Sequence, residues 1–270
     1  MRLKTLALTG ILTAMAATAS IAQTVAAGRD GGGYDARAEA LVAQVRGGWT
    51  VENFAGSEDI ARAVCADNDT PVGISQIDAM LVMQNEGCNL TPLGIYPAQE
   101  YAFIMFPPGG ENELDDLNSD NNILIGEIGS GAALFWHTIV GIEEGDHGNS
   151  SNWAEMTAVY GPFSLANTQA SMGSIDAVIM VTSPDATIIQ QLLTDGWEIG
   201  ELDDKDIDDF QFGRGSLYER STIEVDHPTR WRNVKQDAVE VRSYWIGNTP
   251  WLTANPNELS RMSGIIGRIQ

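Results

Sequence analysis

Short apolar runs alternate along this chain with segments whose apolar positions recur at helical spacing. The run TVAA at 24–27 ends in a glycine loop, GRDGGGYD, and DARAEALVAQV continues with helical periodicity. The run WTV at 49–51 ends at FAGSED, ahead of a helix through IARAV. PVGI at 71–74 ends at Ser75 and Gln76, ahead of a helix through IDAMLVMQN, and LTPLGIY follows. An extended stretch, EYAFIMF at 100–106, stops at PPGG, and the polar segment ENELDDLNSDNN intervenes. The alternation restarts at NILIGEIGSGA and continues through MTAVY, a helix near SLANTQASMG, the run IDAVIMVTS, the helix DATIIQQLLTDG and the run WEIGEL. AVEVRSYWIGNTPWLTAN at 238–255 reads as extended, and PNELSRMSGIIGRI closes as a short helix with Asn255 before Pro256 at its start.

Repetition of this kind predicts an α/β fold in two lobes, each a mostly parallel sheet flanked by helices. The extended segments near 98–106 and 238–247 are the expected hinge crossings, with lobe 1 at 23–100 and 241–270 and lobe 2 at 101–240. In open α/β sheets ligands sit beyond the carboxyl ends of strands. The loops GRDGGGYD, FAGSED, SQID and GSGA are therefore expected to converge on a cleft between lobes. GEIGSGAALFWHTIV has the form of an anion cradle, glycines ahead of a helix start, but the lysine of GxxxxGK[ST] is absent. A plain strand-to-helix turn with Ser130 as N-cap explains the same residues, and both readings stay open here.

The ends of the chain change the picture. MRLK followed by TLALTGILTAMAATASIA and the small-x-small site Ser20-Ile21-Ala22 reads as a cleavable leader over residues 1–22, and no lipid-anchor cysteine follows it. Beyond it no segment reaches the roughly 18 apolar residues of a spanning helix. A soluble protein exported to the periplasm, without membrane insertion, is the expectation. The formal charge of −22 falls to −24 when Arg2 and Lys4 leave with the leader, which argues against nucleic acid and anionic lipid as partners. An anionic ligand would have to be held by local amides and dipoles.

Cys65 and Cys88 are the only cysteines. In an oxidising compartment they are expected to form a disulfide worth about 3 kcal/mol, two buried thiols being the alternative. His137, His147 and His227 have no cysteine or histidine at ligand spacing, so neither a metal nor a cofactor is expected. DDKDIDD at 203–209 lacks the order of a calcium loop and reads as a solvated acidic turn.

Six motifs in order, GGGY (31–34), AGSEDI (55–60), GISQIDAM (73–80), GEIGSGAA (126–133), GSIDAVIMVTSPD (173–185) and YW…PWLT (244–253), resemble the TAXI group of periplasmic solute-binding proteins. That group serves tripartite TRAP transporters and has the type II periplasmic-binding fold. The resemblance spans nearly the whole chain after the leader. It implies capture of a small carboxylate (a dicarboxylate, keto acid or acidic amino acid) for delivery to TRAP-type membrane permease subunits. It implies ligand contacts from Gly32, Gly33 and Tyr34, from Ser57, from Gln76 and Asp78, from Ser130, Gly131 and Ala132, and from Thr182 and Ser183 opposite. Gly33 and Ala132 stand where the group carries hydroxyls, which implies a less polar ligand, and Arg29 is a compensating carboxylate clamp. Read without the resemblance, Gln76 and Asp78 are helix-start residues and Arg29 a surface arginine.

No catalytic residues are assigned. The chain lacks a GxSxG elbow, and no histidine lies near a plausible Ser–Asp partner in sequence. A binding protein is expected rather than an enzyme. An ABC-type or sensor-linked periplasmic binding protein is the alternative, and a periplasmic hydrolase a more distant one.

Overall fold

The structure, a computed structural model, describes residues 23–66, 68–145, 153–202, 207, 211–212, 215–230 and 233–269. The leader, His147 and the acidic run apart from Ile207 lie outside the described residues.

The first half alternates as the hydrophobic pattern predicts: β1 (Thr24–Ala27), α1 (Gly33–Val42), β2 (Thr50–Asn53), α2 (Ser57–Ala66), β3 (Val72–Gln76), α3 (Ile77–Asn85) and β4 (Leu90–Ile95). Helix α2 buries Ser57, Ile60, Ala61 and Val64, one stripe at helical spacing. All five residues of β3 are buried, as a strand covered on both faces must be. Cys65 and Cys88 are joined, their Cα atoms 5.6 Å apart, which ties the end of α2 to the turn after α3.

The chain then enters a second sheet through β5 (Glu100–Phe106), β6 (Asn122–Leu124), α4 (Gly131–Gly145), β7 (Thr157–Val159), α5 (Ala166–Ser171), β8 (Ala177–Thr182), α6 (Thr187–Thr194) and β9 (Glu198–Ile199). After a two-stranded ribbon, β10 (Gln211–Phe212) and β11 (Gly215–Ser216), come β12 (Tyr218–Val225) and β13 (Val234–Val241). The chain returns to the first sheet as β14 (Ser243–Asn248) and ends in α7 (Thr249–Ala254) and α8 (Pro256–Ile269).

The first sheet has the order β2-β1-β3-β14-β4, and the second β12-β13-β5-β8-β6-β7 with β9 beside β5. Pairing is more mixed than mostly parallel. Parallel pairs are β1–β2, β1–β3, β6–β7 and β6–β8, while every pair involving β5, β13 or β14 is antiparallel. The strands that carry the chain between sheets enter against the direction of the βαβ units, which corrects the expectation for the second sheet above all. A second correction concerns residues 249–254, expected to be extended. Asn248 accepts the amide of Trp251 at 3.1 Å and Pro250 lies in the first turn, so the strand converts to α7 at once.

Strand β5 is buried on both faces. Ala102, Ile104 and Phe106 join the larger core, which continues into the first sheet, while Tyr101, Phe103 and Met105 pack with Ile189, Leu192, Leu193 and Trp197 behind it. The two crossings meet where the amide of Tyr96 donates to the carbonyl of Ser243 at 2.8 Å. These two short extended segments link the sheets, one lobe's sheet lying on each side.

Candidate functional site

A cavity of about 400 Å³ lies between the two sheets. One wall comes from the starts of α1 and α2 and the end of β3: Gly32, Gly33, Tyr34, Gly56, Ser57 and Gln76. The other comes from the loop before α4 and from the 161–164 turn: Gly126, Glu127, Ser130, Gly131 and Ala132 with Pro162 and Phe163. Val181 and Ile188 add apolar surface, and Glu100 lines the cavity at the crossing itself.

The loop before α4 is shaped by Gly126 and Gly129, with φ of 87° and 81°. That left-handed region is open to glycine and strained for other residues. Ser130 starts the helix: its Oγ accepts the Ala133 amide at 3.2 Å and its carbonyl accepts the Leu134 amide at 3.1 Å. It is therefore an N-cap, and it also lines the cavity. At α1 the N-cap is Gly32, which has no side chain to satisfy the first amides. At α2 the amides of Glu58 and Asp59 donate to the Gly129 carbonyl of the opposite lobe at 3.2 and 3.4 Å. Three helix starts thus line one space, and those of α1 and α4 turn amides with positive partial charge toward it, the α2 amides being taken up by Gly129.

The lobes are closed against each other. Gly56 lies against the Ser130 backbone, and Gly131 against the Gln76 side chain, so closely that a Cβ at either position would collide. Arg29 pairs with Glu127 across the mouth, both half-exposed. Asp78 does not line the cavity. Its carboxylate is buried behind it, accepting the Tyr218 hydroxyl at 2.7 Å and the Ala79 amide at 2.8 Å. Burial pushes this carboxyl up to about 6, with the Tyr218 and Ala79 hydrogen bonds opposing the rise. Asp78 on α3 and Tyr218 on β12 therefore tie one lobe to the other. Thr182 and Ser183 also stand outside the lining. Thr182 pairs with Tyr101 in the sheet, and Ser183 bonds its neighbour Asp185.

Glu100 and Tyr34 form the floor, with Ser243 hydrogen-bonded to both. Glu100 Oε2 accepts the Tyr34 hydroxyl and the Ser243 hydroxyl, each at 2.5 Å. Burial pushes the Glu100 carboxyl up to about 7 against those two hydrogen bonds, and the charge of Asp78 adds to the rise. Burial, with the adjacent Glu100, holds the Tyr34 hydroxyl well above its usual range. Gln76 is 3% exposed, and its Oε1 has no hydrogen-bond partner.

Of the residues assigned from sequence, Arg29, Gly32, Gly33, Tyr34, Ser57, Gln76, Ser130, Gly131 and Ala132 meet at this cavity, while Asp78, Thr182 and Ser183 do not. Glu100, Gly56, Glu127 and Phe163 were missed. A lone acid opening an otherwise apolar strand, Glu100 before YAFIMF, was the available signal. His137 and His227 lie away from the cavity, bonded to Tyr160 and to the Thr229 and Arg230 amides. Among the described residues no cluster of histidine, cysteine or acid side chains is placed to hold a metal.

No protein-family model matches the sequence, and no curated protein matches it. Solved structures do match. The alkanesulfonate-binding protein SsuA from Xanthomonas axonopodis pv. citri, bound to MOPS, superposes with a TM-score of 0.56 at 13% identity, over 92% of this chain and 73% of that one. A protein of Bordetella bronchiseptica RB50 superposes at 0.51 and 14% identity, over 92% and 70%. At identities this low the likeness speaks to architecture alone. Two helix-flanked sheets, crossed twice by the chain and enclosing a cavity, are the two-lobed type II periplasmic-binding-protein fold.

Proposed function

We propose that this chain is an extracytoplasmic solute-binding protein that captures a small carboxylate between its lobes and hands it to a TRAP-type membrane permease. One observation carries the reading: the cavity has walls from both lobes, which touch through the Gly129 carbonyl on the α2 amides and, behind the cavity, through Tyr218 on Asp78. A site completed only by closure traps a solute, and opening releases it. The convergent N-termini of α1 and α4 favour an anion without a lysine. The TAXI-like motifs support the TRAP assignment, and the leader-like residues 1–22 support a periplasmic location.

A sulfonate is the second reading, favoured by the alkanesulfonate-binding neighbour, since the same amides suit either head group. The hydrolase reading lacks support in the cavity, whose serines Ser57, Ser130 and Ser164 have no histidine among the lining residues.

The test is a thermal-shift screen of carboxylates beside ethanesulfonate, followed by calorimetric titration. At a hundredfold excess over Kd a single ligand should add about 2.7 kcal/mol. A chain stabilised by none of these acids, or one that turns over a generic ester, overturns capture.

A further inference from the structure

The wall of the cavity nearest the crossings presents acceptors. Gln76 and Ser243 are cross-strand partners on β3 and β14, and Ser243 Oγ donates to Glu100 Oε2. These three residues form one strip. Gln76 Oε1 is buried and unpartnered within it. Both hydrogen bonds to Glu100 fall on Oε2, and the carboxyl lines the cavity. The cation nearest the mouth, Arg29, is paired with Glu127.

From this juxtaposition we infer that the ligand is a monocarboxylate that also carries a hydrogen-bond donor, an ammonium or hydroxyl group, and that Glu100 is the residue that selects it. The inference rests on the carboxylate-capture reading and narrows it. The ligand's carboxylate lies toward the α1 and α4 amides, and its donor toward Gln76 Oε1 and Glu100. A buried acceptor left without a donor is costly, so a ligand that supplies one gains affinity over its analogue that does not. A second carboxylate at the same place would face Glu100, with Asp78 behind it and no free cation from the lining to offset the repulsion. The other titratable groups about Glu100 are Tyr34, bonded to it, and Tyr96, whose hydroxyl lies within reach of its charge. Neither supplies positive charge. At pH 8 Glu100 is ionised, since burial lifts its carboxyl only to about 7.

The experiment is calorimetric titration of the mature protein at pH 8 with pentanoate and four acids that replace one C2 hydrogen or the C2 methylene: 2-oxopentanoate, 2-propylmalonate, 2-hydroxypentanoate and norvaline. Norvaline and 2-hydroxypentanoate should bind at least tenfold more tightly than the other three. Glu100→Gln should weaken norvaline at least tenfold and leave 2-propylmalonate unchanged or improved. Should Glu100→Gln fail to fold, the wild-type series decides alone. 2-Propylmalonate or 2-oxopentanoate binding as tightly as norvaline overturns the selection while leaving carboxylate capture intact. Binding of none of the five overturns both.

Discussion

Gly56→Ala isolates lobe closure from folding. A Cβ on Gly56 would stand 2.7 Å from the Ser130 Cα, 3.1 Å from the Gly131 nitrogen and 3.3 Å from the Gly129 oxygen. All three are backbone atoms of the other lobe, so no side-chain rotation relieves the overlap. Ordinary contact needs about 3.5 Å, so the variant lobes stop roughly 0.8 Å short of closure. The hydrogen bonds from Glu58 and Asp59 to Gly129, at 3.2 and 3.4 Å, then open to about 4 Å and are lost. At about 0.5–1.5 kcal/mol each, the closed form loses about 1–3 kcal/mol, which weakens the ligand roughly 5- to 150-fold. The open form is untouched, because the Gly56 backbone lies outside the positive-φ region and alanine fits it. Ligand-free stability should hold or rise by about 0.4–1 kcal/mol as the unfolded chain loses freedom. Calorimetric titration beside a ligand-free urea melt reads both quantities. Wild-type affinity in a variant with an unchanged melt would refute closure at this contact.

Three further outcomes follow from the same geometry. Ser130→Ala should cost about 1 kcal/mol of stability for the lost cap and at least tenfold in ligand affinity, whereas a stability loss with unchanged affinity leaves Ser130 a cap alone. Glu100, raised from 4.5 to about 7, and Asp78, raised from 3.8 to about 6, bind more protons folded than unfolded. Their stabilisation is full below about pH 4 and is lost as pH rises through 6 to 7. Urea midpoints should therefore fall between pH 4.5 and 7.5, with Glu100→Gln flattening the slope by roughly 1–3 kcal/mol; equal slopes in both proteins would exclude Glu100. Thiol labelling of the unfolded, unreduced protein should find no free thiol, and reduction should cost about 2–4 kcal/mol; two labels per chain would rule the bridge out.

Sequence by itself determined the elements and where the cavity loops begin. Apolar runs of period two and segments of period 3.6 are local, so β1 through α4 could be read before any packing was known. The glycines of GEIGSGA and the small N-cap Ser130 announce a helix start through their own backbone preferences. The long β12–β13 ribbon left weaker marks, because only part of it is buried and its register depends on the partner strand. Tertiary structure alone decided which groups face the cavity. Asp78 meets Tyr218 across 140 positions, Arg29 meets Glu127 across 98, and Glu100 meets Ser243 across 143. Contacts between residues so far apart have no periodicity to betray them. A carboxylate becomes a buried acid near neutral pH only when the fold removes its water.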